Sequence, residues 1–167
     1  VPTEAFAAVW RSVSHTLSDE FFGLDTRRLK PGSFALICRS IGSDTLFGTA
    51  LRHAVEAFSL LLDDTYGSVK HDGRSASIQI VSTVRDPLQR MHAIELYVTM
   101  LHGVMCLTAG RRVPMIQLEL DYLRPEHADE YRRMFTHCAT FGACRTALHF
   151  DPSWMNASVA HLAERLN

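Results

Sequence analysis

The longest regular pattern in the chain runs from Pro87 to Ala109, where Met91, Ile94, Leu96, Val98, Leu101, Val104 and Met105 place apolar side chains nearly all round a helix. Asp86 stands before it as an N-cap, Pro87 takes the first helical position, and Gly110 follows as a C-cap, so one long helix is predicted, buried on most sides. Its polar exceptions are His92, Glu95, Thr99, His102 and Cys106. At i, i+3, i+7, i+10 and i+14 they share a single stripe.

Elsewhere the periodicities are shorter. Phe6, Val9, Trp10, Val13 and Leu17 predict an amphipathic first helix. After the breaker Lys30-Pro31-Gly32-Ser33, the run Phe34 to Cys38 is too short to separate helix from strand by period, and Ser33 as an N-cap favours helix. Phe47, Ala50, Leu51, Ala54, Val55, Phe58 and Leu61 form another helical stripe. Tyr66 to Lys70 and Ser75 to Thr83 flank Asp72-Gly73, which predicts a hairpin with a type I′ turn and Ile78 and Ile80 on its buried face. Ile116, Leu118, Leu120 and Tyr122 alternate with Gln117, Glu119 and Asp121, the pattern of a half-buried strand. Pro125 opens a short helix expected to carry Tyr131, Met134 and Phe135 inward, and two short strands, 139–141 and 147–150, surround Gly142. Residues 157–166 read as a last helix or a linker. This mixture predicts an α+β fold, a small antiparallel or mixed sheet packed against several helices including the long central one.

Composition narrows the function classes. The 167 residues, 47% hydrophobic and 21% charged, fit one globular domain. With 17 basic and 18 acidic residues, the net charge of −1 gives no general electrostatic reason to bind nucleic acid. The pairs Arg27-Arg28, Arg111-Arg112 and Arg132-Arg133 sit among acidic residues and read as surface charge. No apolar stretch is long enough to predict a membrane span, and no signal peptide is expected from Val1-Pro2-Thr3-Glu4. Cys38, Cys106, Cys138 and Cys144 lack the spacing of zinc ligands and read as reduced thiols.

The candidate chemistry is sparse. His92, Glu95 and His102 invite a metal, but ten residues of helix separate the two histidines by about 15 Å, too far for one coordination shell. Cys106, Cys138 and Cys144 stand outside any glycine-flanked nucleophile turn, and no phosphate-cradling loop occurs. No catalytic residue, metal or cofactor is therefore expected. The polar stripe has two readings. It is the solvated edge of a packed helix, or it borders a mostly apolar cavity in which His92, Glu95, Thr99 and His102 orient a bound ligand.

The stretch from Leu120 to Asp151 carries a more specific signal. Leu120, Arg124-Pro125, Tyr131, Phe135, Thr140-Phe141-Gly142-Ala143 and Leu148-His149-Phe150-Asp151 resemble, in order and spacing, the end of the N-terminal domain of the arabinose-binding-type branch of AraC-family transcriptional regulators. Upstream, Asp19, Phe22-Gly23-Leu24, Pro31-Gly32-Ser33-Phe34 and Ser43-Asp44-Thr45-Leu46 are similar to the same domain. The resemblance implies a cytoplasmic bacterial effector-binding and dimerisation domain over residues 1–159, with 160–167 beginning a linker toward a helix-turn-helix domain outside this sequence. It implies a small-molecule effector, a homodimer, DNA contact only through that other domain, no membrane and no enzymatic activity. The family label is no sign that a sugar binds, and the apolar long helix points to an apolar or amphipathic effector. Many AraC-type regulators carry a cupin barrel here, but helices at 45–62 and 87–109 do not suit a barrel of strands, so a non-cupin fold is expected. The alternatives are a purely structural oligomerisation module and a small enzyme dependent on a Cys/His pair.

Overall fold

The computed structural model describes residues 3–159. Five helices, α1 (Thr3–Leu17), α2 (Ser33–Ser40), α3 (Phe47–Leu61), α4 (Pro87–Ala109) and α5 (Glu130–Met134), accompany five strands, β1 (Thr65–His71), β2 (Ala76–Ser82), β3 (Met115–Leu120), β4 (Ala139–Phe141) and β5 (Thr146–Phe150). The strands form one open sheet in the order β1-β2-β5-β3-β4. Its pairs are antiparallel except β3 with β4, so the fold is α+β with a mixed sheet and no barrel.

Helices α3 and α4 pack on each other and on the β1–β2 end of the sheet. In β2 the alternation is strict enough to aim Ala76, Ile78 and Ile80 at them, while Val81 stays 43% exposed on the outer face. The outer face is polar toward β3 and β5, where the Glu119 carboxylate accepts from His149 at 3.1 Å and Arg145 at 3.3 Å. Helix α4 is buried along most of its circumference, as its apolar residues require. Its ends are those the sequence predicts: Asp86 accepts from the Gln89 amide at 2.8 Å, and Gly110, at φ 68, adopts the left-handed conformation that only glycine enters without strain.

Four local expectations differ from what the structure shows. Helix α2 begins at Ser33 itself. Gly32 holds the cap position without a side chain to offer, and the Glu20 carboxylate caps the helix instead, accepting from the Gly32 amide at 2.7 Å and the Phe34 amide at 2.8 Å. In the hairpin, His71 pairs with Ala76, leaving a four-residue loop in which Gly73 but not Asp72 has positive φ. Asp72 instead accepts from the Arg74 and Ser75 amides at 2.9 and 2.7 Å, so this is an Asx-type turn and not type I′. In β3 a bulge between Met115 and Gln117 turns Ile116 out to 54% exposure and buries Met115 in its stead. Finally, α5 is little more than one turn. Tyr131 and Phe135 occupy its inner face, so Met134 is 47% exposed.

Residues 157–159 run as an edge beside Leu46, with the Phe47 amide donating to the Ala157 carbonyl at 2.8 Å. The rest of the expected last helix or linker, including 160–167, lies outside the described residues.

Candidate functional site

The site begins with a buried carboxylate. Asp19, 2% exposed, accepts from the amides of Phe21 at 2.8 Å, Gly23 at 2.8 Å and Leu29 at 2.9 Å, which folds the chain after α1 into a tight loop. A second aspartate, Asp25, fastens that loop to the start of the sheet through the amides of Asp63, Asp64 and Thr65. Phe22 is held at φ 56, and its ring meets Trp10 of α1 edge-on, with centroids 4.8 Å apart. Trp10, Phe22 and Leu24 form one wall of a cleft of about 380 Å³, and Leu96 of α4 and Met134 of α5 form the other. The outward turn of Met134 is what brings it to the cleft.

The polar lining is His92, Glu95 and Thr99, all from α4. Glu95 is the hub. One carboxylate oxygen accepts from His127 Nε2 at 2.6 Å and from the Tyr131 hydroxyl, and the other accepts from His92 Nδ1 at 3.0 Å. Because Tyr131 donates to Glu95, the hydroxyl of Tyr122, 2.8 Å away, donates to Tyr131 in turn. The three rings stack in sequence, His92 on His127 with centroids 6.3 Å apart and His127 on Tyr131 at 5.9 Å. Arg90, one turn before, bridges the Ser82 carbonyl and Asp121, which holds the segment after β3 against α4. Thr99 donates to the Glu95 backbone carbonyl at 2.8 Å.

These contacts set the protonation states. Burial would raise the Glu95 pKa, but the hydrogen bonds from Tyr131, His127 and His92 outweigh it and hold the carboxyl below its usual range. Burial, reinforced by the bond to Glu95, pushes the Tyr131 phenol far up, and burial does the same to Tyr122. A carboxylate that is a weak base, beside phenols that hold their protons, suits binding better than proton transfer.

His102 stands apart from the other three. Its Nε2 donates to the Val113 carbonyl at 2.8 Å, and Cys106 Sγ, which accepts from the Val113 amide at 3.4 Å, lies 3.5 Å from the same nitrogen. Burial first, and the Arg112 charge as well, lower the His102 pKa against the opposing Val113 bond. The residue braces the turn after α4 and does not line the cleft. Among the described residues, no group of three or more His, Cys, Asp or Glu side chains is placed to hold a metal ion.

Sequence reasoning missed what other elements bring: Phe22 and Leu24 as cleft walls, and His127 and Tyr131 as donors to Glu95. Tyr131 read as core and as part of a family-like motif, His127 carried no signal, and Phe22 and Leu24 entered only as a family-like motif. A larger cleft, about 710 Å³, lies between the 23–26 loop and residues 83–89. Its aspartates are already committed: Asp25 to four amides, Asp64 to Thr26 and Thr83, and Asp86 to the start of α4.

A family model described as the arabinose-binding domain of AraC transcription regulators, N-terminal, matches residues 1–159. The chain belongs to this family. It is thus a ligand-binding regulatory domain of an AraC-type transcription regulator. Among solved structures it is similar to the transcriptional regulator CdpR from Pseudomonas aeruginosa, with a TM-score of 0.51 and 15% identity, a likeness of fold. The match covers 99% of this chain and 53% of that one, so the domain spans about half the length of the CdpR chain. No curated protein matches. Among the described residues, no helix of this AraC-type domain is long and apolar enough to cross a membrane.

Proposed function

We propose that this domain senses a small, largely apolar effector in the cleft between α1, the Phe22 loop, α4 and α5, and passes its occupancy to an attached DNA-binding domain. The observation that carries the reading is the composition of the cleft: aromatic and aliphatic walls meet at one polar edge, formed by His92, Glu95 and Thr99. His102 fixes the end of α4 and stands outside the cleft. Because the cleft joins four separately connected elements, a ligand there favours whichever arrangement of α1 and α5 it fits, and it shifts the regulator only by that difference in affinity. The regulator then works in the cytoplasm, where its DNA is.

Self-association has its own support. Helix α1 exposes Val9 at 62%, Val13 at 38% and Leu17 at 45%, an i, i+4, i+8 apolar stripe that a homodimer would cover. A thermal-shift screen of metabolites against the domain tests the sensing role, run in parallel on Thr99→Phe, which fills the cleft. Compounds that raise the Tm of the native domain and not that of Thr99→Phe are the expected result. A screen without hits at saturating concentrations would favour a structural oligomerisation module.

A further inference from the structure

We infer that the effector presents its polar head as a hydrogen-bond donor, an ammonium or a hydroxyl on an apolar body, and not as a carboxylate or a ketone. The inference rests on the reading of the α4 cleft as the effector site, and it comes from a donor and acceptor inventory of the polar edge.

Every polar side chain that α4 sends into the cleft ends in an acceptor. Glu95 is ionised and has no proton to give, so the 3.0 Å contact with His92 requires Nδ1–H of the imidazole to be the donor. With the Nδ1 proton committed there, an uncharged imidazole has only the Nε2 lone pair left to offer. The Thr99 hydroxyl proton is committed to the Glu95 backbone carbonyl at 2.8 Å, which leaves its lone pairs. Glu95 itself takes two donors on one oxygen and one on the other, and its second oxygen retains a free lone pair.

The charge agrees. The edge carries one carboxylate, and no guanidinium is among the residues lining the cleft: Arg90 pairs with Asp121 and Arg133 with Glu130, while Arg112 donates to the Met134 backbone carbonyl. A ligand carboxylate would meet like charge and lone pairs facing lone pairs. A ligand ketone would escape the charge but still leave His92 and Thr99 unpaired, and unsatisfied polar atoms at a closing contact weaken binding by about tenfold. An ammonium, with three donors, satisfies both and an alcohol, with one, satisfies either, while Trp10, Phe22 and Leu96 take the apolar body.

Four probes with one body and different heads test this: octylamine, 1-octanol, 2-octanone and octanoate, titrated calorimetrically into the native domain, Thr99→Phe and His92→Lys at pH 8, above the range where imidazoles ordinarily titrate. The expected result is that the amine and the alcohol bind the native domain about tenfold or more tighter than the ketone and the carboxylate. Both lose their binding in Thr99→Phe. His92→Lys, which places a donor where the imidazole lone pair stood, gains octanoate binding. If the ketone or octanoate binds the native domain as tightly as the alcohol, with loss in Thr99→Phe, the donor rule is overturned while the cleft stands as the site. If no probe binds, or all bind Thr99→Phe and the native domain alike, the cleft reading fails and the donor rule with it.

Discussion

The two halves of the α4 polar stripe have the same spacing and different surroundings. In the first half, His92, Glu95 and Thr99 face a cleft, and Glu95 gathers donors from residues 32 and 36 positions further along the chain. In the second, His102 and Cys106 close on Val113, only 11 and 7 positions away, and neither lines the α4 cleft. The difference lies outside α4. The segment carrying His127 and Tyr131 bonds to the first half and leaves a gap walled by Trp10, Phe22 and Leu24, whereas the turn after Gly110 lies directly on the second. One helical period thus serves a binding edge and a brace.

The contrast can be broken most forcefully at Glu95. Glu95→Ala strands the Tyr131, His127 and His92 donors on a half-buried surface, and the expected loss is about 3 kcal/mol of unfolding free energy, measured by urea titration. Hydrogen exchange should accelerate along α5 well before it does along β2. A loss confined to a few tenths would show that the clasp does not hold α5 in place.

The halves should also separate by pH. Both key groups have depressed folded pKa values, so each contributes stability that is present above its unfolded pKa and lost as pH falls through the folded one. His102 starts from 6.5 and Glu95 from 4.5, so acidification removes the brace first, below about pH 6.5, and the clasp only below about pH 4.5. Unfolding free energy against pH should show both descents. His102→Gln should flatten the upper one and Glu95→Gln the lower.

At constant pH near neutrality, His102→Gln costs about 1 kcal/mol, as does Tyr122→Phe, which removes the hydroxyl donating to Tyr131. Of the two, the Tyr122 change alone should alter ligand binding in the cleft. The smallest effect on folding belongs to Val9→Glu with Val13→Glu, within about 0.5 kcal/mol because both side chains already meet water. Sedimentation velocity should nonetheless show the proposed homodimer lost in this double variant.

Much of this was legible along the chain where the determinants are local. Asp86, Pro87 and Gly110 mark α4 to the residue, and the alternation in Ser77 to Ile80 gives the buried face of β2. The fold class followed from those periods. What escaped was chemistry supplied from a distance. Glu20 caps α2 from 12 and 14 residues away, and the sequence offered Ser33 as a nearer and more conventional cap. Asp72-Gly73 carries the hairpin dipeptide, yet Asp72 serves the turn with its side chain, and the loop is longer than the dipeptide implies. For the site, the stripe named three of the cleft's polar residues because a helix fixes its own faces. It could not name Trp10 and Phe22 as the cleft's wall, or His127 as a donor to Glu95, because their positions depend on a clasp and a buried Asp19 loop that no period records.

The central claim is that occupancy of the α4 cleft is what the domain senses, and the most direct test locates a bound compound. With a compound that raises the Tm, ¹H–¹⁵N correlation spectra of the domain should show the largest shifts at the Trp10 indole and the Leu96 and Thr99 amides, with little change at Thr26, Asp64 and Arg85 around the larger cleft. Shifts centred on Thr26, Asp64 and Arg85, with Trp10 and Thr99 unmoved, would contradict the account.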